Sequence, residues 1–312
     1  MRAVVVTRSG GPEVLELQEL PAPDPGRGEL LIEASFAGVN FRDIYERKGG
    51  YGPPPPLVAG IEGTGRVAAL GEGVEELAVG DRVAWNNASG SYAEQVVVPA
   101  AKAVPVPESL SDELACAALL QGMTAHYLTH STYPVQPGDE VLVHAAAGGA
   151  GRLLVQMAKM RGGRVMATTS GGEKAELART AGADDVIGYH EVPEERFHVV
   201  FDGVGHDTFD RSLAALRPRG MLVLLGAASG PVPPFEITRL NARSTFLTRP
   251  SLVHYVLTRE ELLWRAGEVY GWVSEGKLEV RVGGRYPLEE ARRAQEDLES
   301  RRTTGKLLLT VR

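Results

Sequence analysis

Apolar residues along this chain fall into two textures. Over the first 110 residues they come in short runs broken by glycine and proline: Ala3–Thr7, Leu30–Phe36, Gly63–Leu70, Arg82–Trp85 and Tyr92–Val98. Runs of that length, bounded by Gly, Asp or Asn, predict short strands in a β-rich barrel or partly open sheet. Pro21–Gly28 is a turn-rich connector and Pro53–Pro56 a rigid proline run. From Leu114 to Thr129 alanine and leucine dominate, which predicts a helical connection.

From Glu140 onward the pattern alternates. Strands are expected at Val141–Ala145, Val165–Thr168, Val186–Gly188, Val199–Asp202 and Met221–Leu225, with helices over Gly149–Met160 and Glu173–Ala181. Such alternation implies right-handed crossovers and a parallel sheet covered on both faces. After Leu257, Thr258 and Glu261 form a capping-box pair that opens a helix to about Ser274. A short strand, a helix from Leu288 to Ser300 and a strand at Lys306–Val311 follow. The fold class is α/β: a doubly wound domain over 123–257, and a β-rich domain over 1–122 that residues 258–312 return to complete.

Composition narrows the function. At 312 residues two domains are expected, and 43% apolar with 23% charged residues suits a soluble folded chain. A net charge of −7 without a basic run disfavours nucleic acid as a partner. The one cysteine, Cys116, excludes an internal disulfide and every multi-cysteine zinc or iron–sulfur site. The N-terminus offers a four-residue apolar run before Thr7 and Arg8, too short for a signal-peptide core, and no stretch approaches the roughly 20 apolar residues of a membrane span. A cytoplasmic location follows as an expectation.

The strongest motif is Val141-Leu-Val-His-Ala-Ala-Ala-Gly-Gly-Ala-Gly-Arg-Leu-Leu-Val155, an apolar strand running through small residues into a helix. Ala146-x-Gly148-x-x-Gly151 has dinucleotide-fingerprint spacing with alanine in first place. Gly148 lets backbone approach a pyrophosphate, Gly151 lets helix pack on strand, and the helix N-terminus supplies N–H groups for phosphate. The bland alternative is a tight strand–helix turn that binds nothing. Past the second strand an NAD site usually carries an acid, but here Thr169 and Ser170 stand there, in the loop Ser170-Gly171-Gly172 before Lys174. A small polar loop and a lysine suit a 2′-phosphate, so NADPH is favoured; Glu173 works against it, and Lys174 can also be read as a solvated helix residue.

These residues resemble, across nearly the whole chain, the zinc-free quinone oxidoreductases (zeta-crystallin-like) of the medium-chain dehydrogenase/reductase superfamily. The resemblance rests on Gly11-Pro-Glu-Val-Leu15, Gly38-Val-Asn-Phe-Arg-Asp43, Gly60-x-Glu-Gly-x-Gly65, Gly80-Asp-Arg-Val83, Gly90-x-Tyr-Ala-Glu94 and the glycine turn. Ala181-Gly-Ala-Asp184, Thr248-Arg-Pro-Ser-Leu252, Thr258-Arg-Glu-Glu-Leu262 and Glu299-Ser-Arg301 extend it. It implies a Rossmann domain, a GroES-like catalytic domain and a cofactor in the cleft between them. Where zinc-dependent relatives place a catalytic Cys and a His, this chain has Asn40 and Ile61.

On matching positions the resemblance brings Asn40, Phe41, Asp43, Thr124 and Tyr127 to the nicotinamide end, and Gly149 and Ala150 to the pyrophosphate. It surrounds the 2′-phosphate with Ser170, Lys174, Tyr189 and Arg301. Val204 and the loop Gly226, Ala227, Ala228, Ser229 would line the adenosine and ribose path, with Pro250, Ser251 and Leu252 closing the site. Tyr45 and Tyr51, on the loop after Asn40, frame the quinone pocket in similar enzymes; each can stack on a flat ring and donate to a quinone oxygen, or simply pack the loop.

Bland readings compete elsewhere. Asn40 can be a turn-capping amide. His126 and His130 have helical metal-ligand spacing but no third ligand nearby. His144 reads as a buried strand-end imidazole and Cys116 as inert core. The expected function is NADPH-dependent quinone reduction without metal, catalysis resting on holding donor and acceptor in contact; a homodimer is implied by the family resemblance alone. An enone or alkenal double-bond reductase is the alternative acceptor class, and a non-catalytic NADPH-binding structural or RNA-associated protein the alternative outside enzymes.

Overall fold

The computed structural model describes residues 1–312. In chain order it runs β1 (Arg2–Val6), β2 (Leu15–Glu19), β3 (Glu29–Val39), α1 (Phe41–Arg47), β4 (Leu57–Val58), β5 (Glu62–Leu70), β6 (Arg82–Asn86), β7 (Gln95–Pro99), β8 (Ala103–Pro105) and α2 (Asp112–Tyr127). Next come β9 (Glu140–Val143), α3 (Gly149–Met160), β10 (Arg164–Thr168), α4 (Glu173–Thr180), β11 (Asp185–Ile187), β12 (Phe197–Asp202), α5 (Phe209–Ala214), β13 (Leu216–Leu224) and β14 (Phe246–Thr248). The chain closes with α6 (Arg259–Ser274), β15 (Val282–Pro287), α7 (Ala291–Glu299) and β16 (Lys306–Thr310). It divides into two compact units, Met1–Leu120 with Val256–Arg312, and Gln121–Tyr255. No helix is long and apolar enough to cross a membrane.

The first unit holds a seven-stranded sheet, with β15-β16-β3-β5-β6-β8 in order and β7 on β3, and a three-stranded sheet β2-β1-β4. β3 organises it: its buried positions alternate over Leu30, Ile32 and Ala34, the period of a half-buried strand, and it pairs antiparallel with β5, β7 and β16. Val4, Val83, Trp85, Tyr92 and Leu307 close the core above it.

The second unit is the doubly wound domain. All pairings in its six-stranded sheet are parallel, in the order β11-β10-β9-β12-β13-β14. The buried run Val141-Leu-Val143 in β9 is what a central strand covered on both faces requires. The order reverses between β9 and β12, so the carboxyl ends of those strands flank the switch point of the sheet.

Three local expectations are corrected. Tyr45 lies on α1, not on a loop. The Asp43 carboxylate accepts the Asn40 backbone N–H at 2.8 Å, the return half of a capping box, and this starts a helix inside the β-rich region. The connecting α-helix begins at Asp112 and stops at Tyr127, where a π-turn over Leu128–Thr132 replaces it. The helix expected from Leu288 opens as a 3-10 turn, Leu288–Glu290, before α7.

Candidate active site

In the second unit the residues singled out for the nucleotide gather at one edge, the carboxyl ends of the parallel strands. Gly148, Gly149 and Ala150 follow β9, and Ser170, Gly171, Gly172 and Lys174 follow β10. Tyr189 follows β11, Val204 follows β12, Gly226 to Ser229 follow β13, and Pro250, Ser251 and Leu252 follow β14. α3 is capped by Gly148, with no side-chain cap and no acid in its first turn. Its first N–H groups therefore have no acceptor within the helix, which suits a pyrophosphate. A Cβ on Gly151 would strike the Ala145 carbonyl, so this position needs glycine for helix to meet strand. Gly171 and Gly172 both have positive φ, +87° and +58°, and the Gly171 N–H is held by Thr169 Oγ1 at 3.1 Å. α4 opens with Glu173 and Glu176 beside Lys174, so its first turn carries both signs.

A buried polar network supports these strand ends. Asp202, fully buried at the end of β12, accepts from the N–H groups of Val204 (2.8 Å) and Gly205 (3.0 Å) and from the hydroxyls of Thr208 and Ser212 (both 2.7 Å). Since Ser212 gives its proton to Asp202, it accepts from His144 Nε2 at 3.0 Å. Burial holds His144 below its ordinary pKa against the opposing pull of Asp202, so the neutral ring carries its hydrogen on Nε2 and accepts from Thr168 at Nδ1 (2.8 Å). His144 stacks on Tyr189 at 5.9 Å. The network fixes the Val204 loop, and Ser229 donates to the Val204 carbonyl at 2.8 Å, tying the loop after β13 to it.

Tyr127 stacks on Tyr255 at 4.3 Å and donates to the Pro250 carbonyl at 3.5 Å; burial pushes its hydroxyl well above the usual range. Thr124 is half-buried one turn earlier on α2. His126 and His130 stack at 4.3 Å, with His130 Nδ1 against the His126 carbonyl and the Thr129 hydroxyl.

The remaining singled-out residues belong to the first unit. Asn40 N-caps α1, and both its amide hydrogens are engaged: Nδ2 donates to the Gly38 carbonyl (3.2 Å) and Glu62 (3.0 Å), while Oδ1 accepts from Lys306 (2.7 Å). What Asn40 has left to offer is one lone pair on Oδ1. Lys306 also meets Glu62 at 2.5 Å, and Glu62 accepts the Leu120 N–H at 2.9 Å. Asp43 accepts from the Tyr92 hydroxyl at 2.8 Å, but its Oδ1 is buried without a partner. Burial pushes the Asp43 carboxyl up to about 7, against the Tyr92 and Asn40 hydrogen bonds and the charge of Lys306. On α1, Phe41 and Tyr45 lie 6.2 Å apart and Tyr45 is 6.0 Å from Tyr51, a row of three rings. Arg301, with φ +57°, follows α7 in this unit.

Sequence reasoning missed Glu62, Tyr92 and Lys306 as site residues. Glu62 and Tyr92 stood inside the quoted motifs, and Lys306 heads an otherwise apolar strand. A polar side chain at a core position of a strand was the available signal.

Comparison with known proteins gives a consistent neighbourhood. Residues 26–108 match the alcohol dehydrogenase GroES-like domain, and residues 181–309 the zinc-binding dehydrogenase family. A quinone oxidoreductase of Salmonella typhimurium is 42% identical, covering 97% of each chain. The Escherichia coli quinone oxidoreductase solved with NADPH is 38% identical over 100% of both chains, with a TM-score of 0.96. A 2-haloacrylate reductase from Burkholderia sp. is 39% identical over 98% of both. The residues present do not fit the zinc that the second family description implies. Positions 40 and 61 hold Asn and Ile, no group of three or more His, Cys, Asp or Glu is placed to hold a metal ion, and the Lys306 ammonium sits on Asn40 and Glu62.

Proposed function

The chain belongs to the quinone oxidoreductases of the medium-chain dehydrogenase/reductase superfamily, and from that premise we propose that it is an NADPH-dependent quinone reductase whose acceptor lies against Tyr45 and Tyr51. The observation that carries this reading is the convergence of six strand-end loops, among them an uncapped, acid-free α3 N-terminus, on one edge of the parallel sheet. NADPH, when bound, supplies the two reducing electrons.

The protein's own part is to bind and orient. The first N–H groups of α3 hold the pyrophosphate, and Ser170 and Lys174 take the 2′-phosphate, with Arg301 a further cation for it. The His144–Ser212–Asp202 network keeps the Val204 and Ser229 loops in one arrangement along the ribose. Tyr45 and Tyr51 present ring faces and hydroxyls to a flat acceptor. Asn40 and Asp43, with Phe41, fix the start of α1 and hence the position of Tyr45. The same reading includes a homodimer in the cytoplasm.

A panel of quinones and enals with NADPH as donor tests this. Quinone turnover is expected, with Lys174→Ala raising KM for NADPH about tenfold while leaving NADH within about twofold. Turnover of enals with no quinone activity overturns the acceptor, and equal losses for both nucleotides overturn the Lys174 assignment. The similarity to a 2-haloacrylate reductase favours activated double bonds as the second acceptor class.

A further inference from the structure

Next to the two tyrosines, α1 carries a charge that the proposed reaction leaves unused. Arg42 is half-buried, and its guanidinium carbon stands 4.7 Å from the centre of the Tyr51 ring. Its Nε is closed off from solvent and has no acceptor in the protein. Glu46, one turn on, feels the charge of Arg42, which pulls its carboxyl down against the stronger upward push of burial. A guanidinium laid on an aromatic face keeps the edge between its two terminal nitrogens for a planar, two-oxygen anion. A single cation with an acid one turn away suits a singly charged carboxylate better than a phosphate.

We propose that Arg42, stacked on Tyr51, is an anion-recognising subsite of the acceptor pocket, and that the chain prefers flat unsaturated acceptors bearing a carboxylate. The proposal rests on the reading that Tyr45 and Tyr51 frame the acceptor. Those rings orient the flat part of such a molecule while the guanidinium edge takes its carboxylate, so Arg42 sets specificity without entering the electron transfer.

Calorimetric titration of the purified full chain with naphthoate and its uncharged isostere naphthamide tests the subsite directly. Naphthoate is expected to bind the wild type more tightly than naphthamide. Arg42→Gln should weaken naphthoate about tenfold and change naphthamide less than about twofold, and Arg42→Lys, which keeps the charge without the fork, should fall between. Equal weakening of both probes, an unchanged preference, or no preference in the wild type overturns the proposal. Turnover of an uncharged quinone with NADPH, measured on the same preparations, reports separately on the underlying function. Arg42-dependent carboxylate binding without that turnover would remove the quinone reading and leave the subsite standing.

Discussion

Around Asn40 the first unit buries ionisable groups of both signs, Asp43, Glu62 and Lys306, whereas around His144 the second unit buries one carboxylate, Asp202, and surrounds it with hydroxyls and N–H groups. The first cluster draws on α1, β5, the segment before β7, and β16, and it leaves Asp43 Oδ1 without a partner. The second draws on the ends of β9, β10 and β12 and the start of α5, and both Asp202 oxygens are engaged. Opposite charges force distant segments into register, at the risk of an exposed imbalance when one is lost. A carboxylate saturated by neighbouring donors ties down its own loop and little else.

The sharpest way to break this contrast is to remove the lone cation of the first cluster. Lys306→Met strands Glu62 in a dry site and should cost about 3–5 kcal/mol by chemical denaturation. Adding Glu62→Gln to Lys306→Met should recover part of that loss. A cost below about 1 kcal/mol for the single variant would mean that the pair is not an uncompensated-charge device. Asp202→Asn should cost about 2–3 kcal/mol, because the new NH₂ faces hydroxyls that were donating. Its effect should show first as lost amide protection in the Val204 loop, and an equal loss throughout both units would contradict the local role.

Protonation separates the two clusters more finely. Burial raises Asp43 from 3.8 to about 7, so its contribution to stability is full below about 3.8 and is lost as pH rises through 7. His144 is lowered from 6.5, so its contribution is present above 6.5 and is lost as pH falls through its folded pKa. Lowering pH from neutral to mildly acid should therefore raise corrected amide protection in β3 and β5, by about 1 kcal/mol, and lower it in β9 and β12. Movement of both units in the same direction would show that these two groups do not govern the response.

What could be read from residues alone follows the range of the interaction. The glycine turn after β9 and the Thr258–Glu261 cap are contained within a few residues, and both were legible. The same capping logic operates at Asn40, but with Asp43 in place of the longer Glu, amid strand-like surroundings, and α1 was missed. The partners of Asn40 lie 22 and 266 residues away, and pairing at that distance is set by sheet register, which periodicity does not encode. The π-turn at Leu128 escaped because its residues continue the apolar texture of α2, and nothing in a hydrophobic run counts residues per turn.

The late position of Lys306 bears on how the protein is made. On the ribosome residues 121–255, the whole doubly wound unit, leave the exit tunnel before Lys306 has been synthesised. Until then Glu62 and Asn40 wait without the ammonium they share, so the first-made strands belong to the last-finished core. The nascent chain thus completes its middle before its beginning.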